Sequence, residues 1–181
     1  EFVLVGKQKK ELKDHIQKCK KNTDAPFAVN LPLLYPNAED HIKSILDLKV
    51  PIVFTSAGNP KTWTGKLKKH GVKVVHVVSS VRFAKKAEDA GVDAIVAEGF
   101  EAGGHNGIEE TTTFCLVPEV AKTVQIPLIA AGGIIDGKSM LAAMVLGADG
   151  VQMGTRFVAS EESSAHINFK QKVVELNEGE T

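Results

Sequence analysis

The chain has 181 residues, with 22 basic against 22 acidic side chains and a formal net charge of zero. That balance excludes a general electrostatic pull toward nucleic acid or an anionic membrane, and no stretch approaches the roughly 18 consecutive apolar residues of a membrane span. The length suits one domain with a buried core.

Phe2-Val3-Leu4-Val5-Gly6 is a short apolar run and predicts a strand. Residues 7–21 are strongly basic, with Leu12, Ile16 and Cys19 at helical spacing. They predict a surface helix whose lysines read as a solvated face before they read as a polyanion site. A rhythm then sets in. Ala25-Pro26 leads into residues 27–31, Val50-Pro51 into 52–58, and Ile126-Pro127 into 128–133. Three further runs enter after a glycine: 72–77 after Gly71, 92–97 after Gly91, and 148–153 after Gly147. Glycine there suits the left-handed stop of a preceding helix. Gly91-Val92-Asp93-Ala94-Ile95-Val96 and Gly147-Ala148-Asp149-Gly150-Val151-Gln152 resemble one another directly. Helix start signals lie between the runs. They are Asn37 before Ala38, Asn59-Pro60 before Lys61, Ser80 before Val81, Pro118 before Glu119, and Asp136 before Gly137. A last amphipathic helix carries Ile167, Phe169, Val173, Val174 and Leu176.

Strand, short loop and helix, repeating every 25 residues or roughly so, is the pattern of parallel βα units. Runs that are apolar throughout suit strands covered on both faces. The pattern predicts seven strands and leaves a doubly wound sheet open. A TIM (β/α)8 barrel is favoured, because residues of chemical interest follow the carboxyl ends of successive strands. These are Asn30, Ser56 with Gly58, His76, the 98–107 loop, Gly132-Gly133 and Gly154-Thr155. A barrel gathers such ends on one face, whereas an open sheet spreads them along an edge.

The 98–107 loop reads Glu98-Gly99-Phe100-Glu101-Ala102-Gly103-Gly104-His105-Asn106-Gly107. Its glycines let a flat ligand approach the backbone closely, and His105 is a ring that accepts or gives a proton near neutral pH. On these residues alone, proton transfer by His105 and a tight turn with a surface imidazole are both open. Gly132-Gly133 and Gly154-Thr155, at the last two strand ends, have the form of a phosphate cradle built from backbone N–H groups and a hydroxyl. Two plain structural turns are the alternative. No G-x-G-x-x-G opens a βαβ unit, and no P-loop occurs. Cys19 and Cys115 have no metal-ligand spacing, so two free thiols in a reducing, cytoplasmic compartment are expected. The six histidines form no H-x-H or H-E-x-x-H pair, and no metal site is expected.

These residues resemble a known family. The 98–107 loop is similar to the EGxEAGGHxG signature of nitronate monooxygenases, formerly 2-nitropropane dioxygenases. FMN-dependent enoyl-acyl-carrier-protein reductases of the same superfamily share it. Pro127-Leu128-Ile129-Ala130-Ala131-Gly132-Gly133-Ile134 and Gly147-Ala148-Asp149-Gly150-Val151-Gln152-Met153-Gly154-Thr155-Arg156-Phe157 look like the two phosphate-side motifs, and Val29-Asn30 matches the third-strand Asn. The resemblance runs from about residue 10 to about residue 165.

The resemblance implies a TIM barrel that holds FMN non-covalently. Its phosphate would lie on Gly132, Gly133, Gly154 and Thr155. Asn30, His76, Ala102, Gly103, Gly104 and Gln152 would complete the cofactor contacts, with His76 where family members often carry Lys. His105 would be the catalytic base. The implied activity is oxidation of alkyl nitronates or nitroalkanes with molecular oxygen, on small-molecule substrates, with neither nucleic acid nor membrane as partner. FMN-dependent enoyl reduction with NAD(P)H is the alternative. A phosphate-binding barrel without flavin and a non-catalytic fragment are two more.

The family's first strand, with its Pro-Met-Ala/Gly segment, has no counterpart, and Phe2-Val3-Leu4-Val5 aligns with the second strand. The family's C-terminal helical portion is mostly absent. The expectation is therefore one FMN-binding domain over residues 1–181 that is a fragment: an incomplete barrel without its first βα unit. Its two open strand edges favour a homo-oligomer, and weak or absent flavin binding is expected of the chain as given.

Overall fold

A strand alternates its side chains between two faces, so an apolar run buries both of them. The runs at 27–31, 52–58, 72–77, 92–97 and 128–133 do this. The computed structural model describes residues 2–4 and 9–177, with side chains from residue 10 onward. The strands are β1 (Phe2–Leu4), β2 (Ala28–Pro32), β3 (Ile52–Ser56), β4 (Lys73–Val78), β5 (Ala94–Glu98), β6 (Leu128–Ala131) and β7 (Gly150–Gln152). The helices are α1 (Lys9–Asn22), α2 (Ala38–Asp47), α3 (Lys61–Lys69), α4 (Val81–Asp89), α5 (Thr113–Ala121), α6 (Gly137–Val145), α7 (Thr155–Val158) and α8 (Ile167–Glu175). All seven strands are parallel and follow one another in chain order across one sheet. Val5, Gly6 and Lys7, part of the predicted first strand and helix, lie outside the described residues.

Two hydrophobic clusters separate the faces. One joins Val29, Val53, Val74, Ile95 and Ala130 of the strands to buried residues of α1 through α6, such as Ile16, Ile45, Leu67, Ala87, Leu116 and Ala143. The other contains Ala28, Phe54, Val75, Val96 and Ala131, and every residue packed in it belongs to a strand. Helices thus cover one face only. A doubly wound sheet would bury helices against both. Sequential parallel order with one helical face is the wall of a partial TIM barrel, with β1 and β7 at its two ends. None of the described helices is long and apolar enough to cross a membrane.

Local chemistry explains most of the element boundaries. The Asn59 side chain accepts from Lys61 N (3.2 Å), Ser80 caps α4 through Phe83 N (3.4 Å), and Asp136 and Ser139 form a reciprocal capping box on α6. The repeated Gly-x-Asp has a structural cause. Asp93 Oδ2 accepts from Val74 N at 2.8 Å and Asp149 Oδ2 from Leu128 N at 2.9 Å. The amides of both aspartates donate back to the same two residues at 2.7 Å. Each aspartate therefore ties the start of its own strand to the start of the one before. Pro118 does not open a helix: α5 begins at Thr113 and runs through it. Burial of Leu116, Val117 and Val120 on one stripe outweighs the missing proline N–H. The amphipathic α8 is present, but Ile167, Phe169 and Val174 are exposed, as are Met140, Leu141, Met144 and Val145 of α6.

His76 differs from the sequence expectation. It shares the parity of Val74 and Val78, so its ring lies on the helix-covered face and not at the mouth. It is 4 % exposed, and its Nδ1 lies 2.7 Å from Thr55 Oγ1. Burial, reinforced by the nearby Lys86 ammonium, lowers its pKa to about 4. His76 is thus a neutral core side chain. Above pH 6.5 neither the folded nor the unfolded chain protonates it. Below that the unfolded chain takes up a proton that the folded chain refuses, so stability falls with pH until about pH 4. Urea unfolding should show a loss of roughly 3 kcal/mol attributable to this residue across that window. His76→Gln should flatten that part of the pH profile; an unchanged slope would place the titrating group elsewhere.

Candidate functional site

At the carboxyl ends of the strands, the parity opposite to the helices presents polar groups. Asn30 shares the parity of Ala28, and the register sets Glu98 beside Ala131 and Ala131 beside Gln152. Asn30, Glu98 and Gln152 are half-buried, and their side chains bond to no other described residue. Burial pushes the Glu98 carboxyl above its usual pKa. Glu98 and Gln152 form a polar rim at the carboxyl ends of β5 and β7, and Asn30 lies on the same concave face within β2.

The 98–107 loop leaves β5 at this rim and is tied at several points. Gly99 N donates to Ala131 O (2.9 Å) and Phe100 N to Thr111 O (2.9 Å). Glu101 Oε2 accepts from the amide of Thr113 (2.8 Å) and from its hydroxyl (3.0 Å). Asn106 Nδ2 closes the loop on Phe100 O at 2.9 Å, leaving its buried Oδ1 without a partner among the described residues. A Cβ on Gly99 would strike Thr113, and one on Gly107 would strike the Ser79 side chain. Both ends of the loop are therefore packed against neighbouring connections. Its centre is different. A Cβ on Gly103 or Gly104 would meet nothing within 4 Å. Gly104 has φ +96°, which a residue with a side chain adopts only under strain. His105 follows, exposed and bonded to no described residue.

The turn after β6 packs directly on this loop. A Cβ on Gly132 would lie 2.7 Å from Thr113 Oγ1, 2.9 Å from Gly99 O and 3.2 Å from Ala102 N. A Cβ on Gly133 would lie 3.4 Å from Glu101 Cβ. Since Ala131 pairs with Gln152, the Gly132-Gly133 turn and the Met153-Gly154 turn leave adjacent strands at matched positions. Gly154 and Thr155 are exposed, and a Cβ on Gly154 would meet nothing within 4 Å. The structure thus sets Ala102 against Gly132 and Glu101 against Gly133, with Gly103, Gly104 and His105 following on the same loop. It sets Gln152, Gly154 and Thr155 on the adjoining strand end, and Asn30 on the same face of the wall. His76 alone falls on the other side of the sheet.

A planar ligand carrying a phosphate fits this donor set. Gly103-Gly104 offers open backbone without a Cβ, Asn30, Glu98 and Gln152 offer hydrogen-bonding side chains, and the two glycine turns offer close backbone approach. Sequence reasoning missed Glu101, Thr113 and Ser79, whose contacts hold the loop. The Thr111-Thr112-Thr113 run was the available signal, but nothing in it identifies partners 12 and 19 positions away.

A family model described as nitronate monooxygenase matches residues 36–181. A probable nitronate monooxygenase of Staphylococcus saprophyticus is 36% identical over 182 residues, which cover 93% of this chain and 51% of that protein. FabK from Thermotoga maritima superposes with a TM-score of 0.90 at 47% identity, over 96% of this chain and 56% of that one. Nitroalkane oxidase from Streptomyces ansochromogenes gives a TM-score of 0.86 at 27% identity, over 94% and 61%. The chain spans about half the length of the relatives it matches.

The contacts of the loop glycines make a stability contrast. Gly99→Ala should cost about 1–3 kcal/mol in urea unfolding, because the new methyl meets the backbone of Thr113. Gly103→Ala, with open space around it, should change stability by less than about 0.5 kcal/mol. Equal losses at the two positions would contradict the packing described.

Proposed function

The chain belongs to the nitronate monooxygenase family, and from that premise we propose that its mouth binds FMN and serves the oxidation of alkyl nitronates and nitroalkanes by molecular oxygen, with His105 as the base. One observation carries the reading. An exposed imidazole, bonded to no described residue, directly follows open Gly103-Gly104 backbone, on a loop packed against a second glycine turn. Gly103, Gly104 and Ala102 would meet the ring system. Asn30 and Gln152 would hydrogen-bond its polar edge, and Gly132, Gly133, Gly154 and Thr155 would hold the phosphate.

FMN bound there supplies the redox chemistry and the reaction with oxygen. The chain's own residues bind, orient and move a proton. For a nitroalkane, His105 takes the proton from the carbon bearing the nitro group and leaves the anionic nitronate. A nitronate arrives already deprotonated, so the imidazole then only orients the anion. The glycines ahead of His105 let the substrate lie within roughly 3–3.5 Å of the groups it reacts with, which a side chain at Gly103 or Gly104 would prevent.

Reduction of an enoyl thioester by NAD(P)H through the same cofactor site is the second reading. The FabK likeness, 47% identical against 36% for the probable nitronate monooxygenase, favours it.

His105→Asn should leave FMN affinity unchanged while lowering nitroalkane turnover by about 100-fold or more, with a smaller effect on a preformed nitronate. Oxygen uptake with nitroethane and with its nitronate measures both. Undiminished nitroalkane turnover removes His105 from the mechanism. NADH oxidation on crotonyl thioester without nitronate-dependent oxygen uptake establishes the second reading in place of the first.

A further inference from the structure

We infer that Thr113 is a positioning residue that clamps the His105 loop onto the Gly132-Gly133 turn, so that the two halves of the site move as one body. Thr113 is buried, 8 % exposed, at the first position of α5. Its amide donates to Glu101 Oε2 at 2.8 Å. Its hydroxyl faces three acceptors: Gly132 O at 2.9 Å, Glu101 Oε2 at 3.0 Å and Ala131 O at 3.2 Å. The hydroxyl's one proton is best placed for Gly132 O, the nearest acceptor, while the amide holds Glu101, so a single residue bonds both the loop that carries His105 and the carbonyl of the turn opposite.

The clamp also replaces an ordinary helix cap. Thr112, the residue in the cap position of α5, makes no side-chain capping bond. The carboxylate of Glu101 caps the helix from the neighbouring loop instead, where the amino end of a helix favours negative charge. Releasing the loop therefore uncaps the helix, and the loop is held more firmly than its exposed sequence suggests. Gly99 and Gly132 are the complementary half of the arrangement, because a Cβ on either would strike the Thr113 hydroxyl. The clamp itself stands on these contacts, and its consequence for ligand binding rests on the FMN reading above.

Hydrogen exchange on the flavin-free chain tests the clamp independently of that reading. Thr113→Val should speed amide exchange about tenfold across both the 102–105 and the 132–134 segments. Thr113→Ser, which keeps the hydroxyl, should restore protection. Thr64→Val serves as control: Thr64 is also buried, and its hydroxyl bonds Pro60 O, away from the mouth. Glu101→Ala, at an exposed side chain, should loosen the 102–105 segment and the first turn of α5 but not the 132–134 segment, and covers the case in which the valine variant does not fold. Flavin fluorescence titration should then show about tenfold weaker FMN binding for Thr113→Val, recovered in Thr113→Ser. Unchanged exchange in Thr113→Val, or in Glu101→Ala where valine is not tolerated, overturns the clamp. So does equal loosening by Thr64→Val. A wild-type chain that takes up no FMN while the exchange pattern holds overturns the flavin reading and leaves the clamp standing.

Discussion

The structure depends on the alternation of side chains along parallel strands. Because every neighbour is parallel and in register, one choice of phase sends Val29, Val53, Val74, Ile95 and Ala130 to the helices, and Asn30, Phe54, Val75, Glu98, Ala131 and Gln152 to the concave face. A shift of one residue in any strand would exchange its two faces. The mouth is assembled from this phase before any loop contributes. It explains why Asn30, Glu98 and Gln152, bonded to no other described residue, share the concave face, while a histidine two residues from a strand end is buried under helices.

That distinction marks how far the sequence could be read. The βα rhythm, the caps at Asn59, Ser80 and Asp136, and the partial barrel are all legible, because each rests on neighbours close in the chain. The same holds for the 98–107 loop as an open turn: its glycines state their own geometry. His76 was misplaced because distance from a strand end was counted without parity. β4 continues to Val78, which turns the ring toward Lys86 and Thr55. Pro118 was misread as a start signal because local preference alone cannot weigh the burial of Leu116 and Val120. The Glu101–Thr113–Gly132 contacts join three separate segments, and no local pattern announces a bond of that kind.

The glycines of the site divide by what surrounds them. Gly99, Gly107 and Gly132 are closely packed, each with another chain segment where a Cβ would be, whereas Gly103, Gly104 and Gly154 face open space. Sequence treats all six alike. In the fold the first group fixes the loop and the turn, and the second leaves backbone accessible between those fixed points. A loop tied at both ends and open at its centre loses little conformational entropy when a ligand settles on it, because most of that cost is already met in folding. Removing a hydroxyl at the ties should therefore weaken binding, while filling space at Gly103 should block it without loosening the fold. The two kinds of glycine do different work, and the clamp at Thr113 is where the first kind makes the second useful.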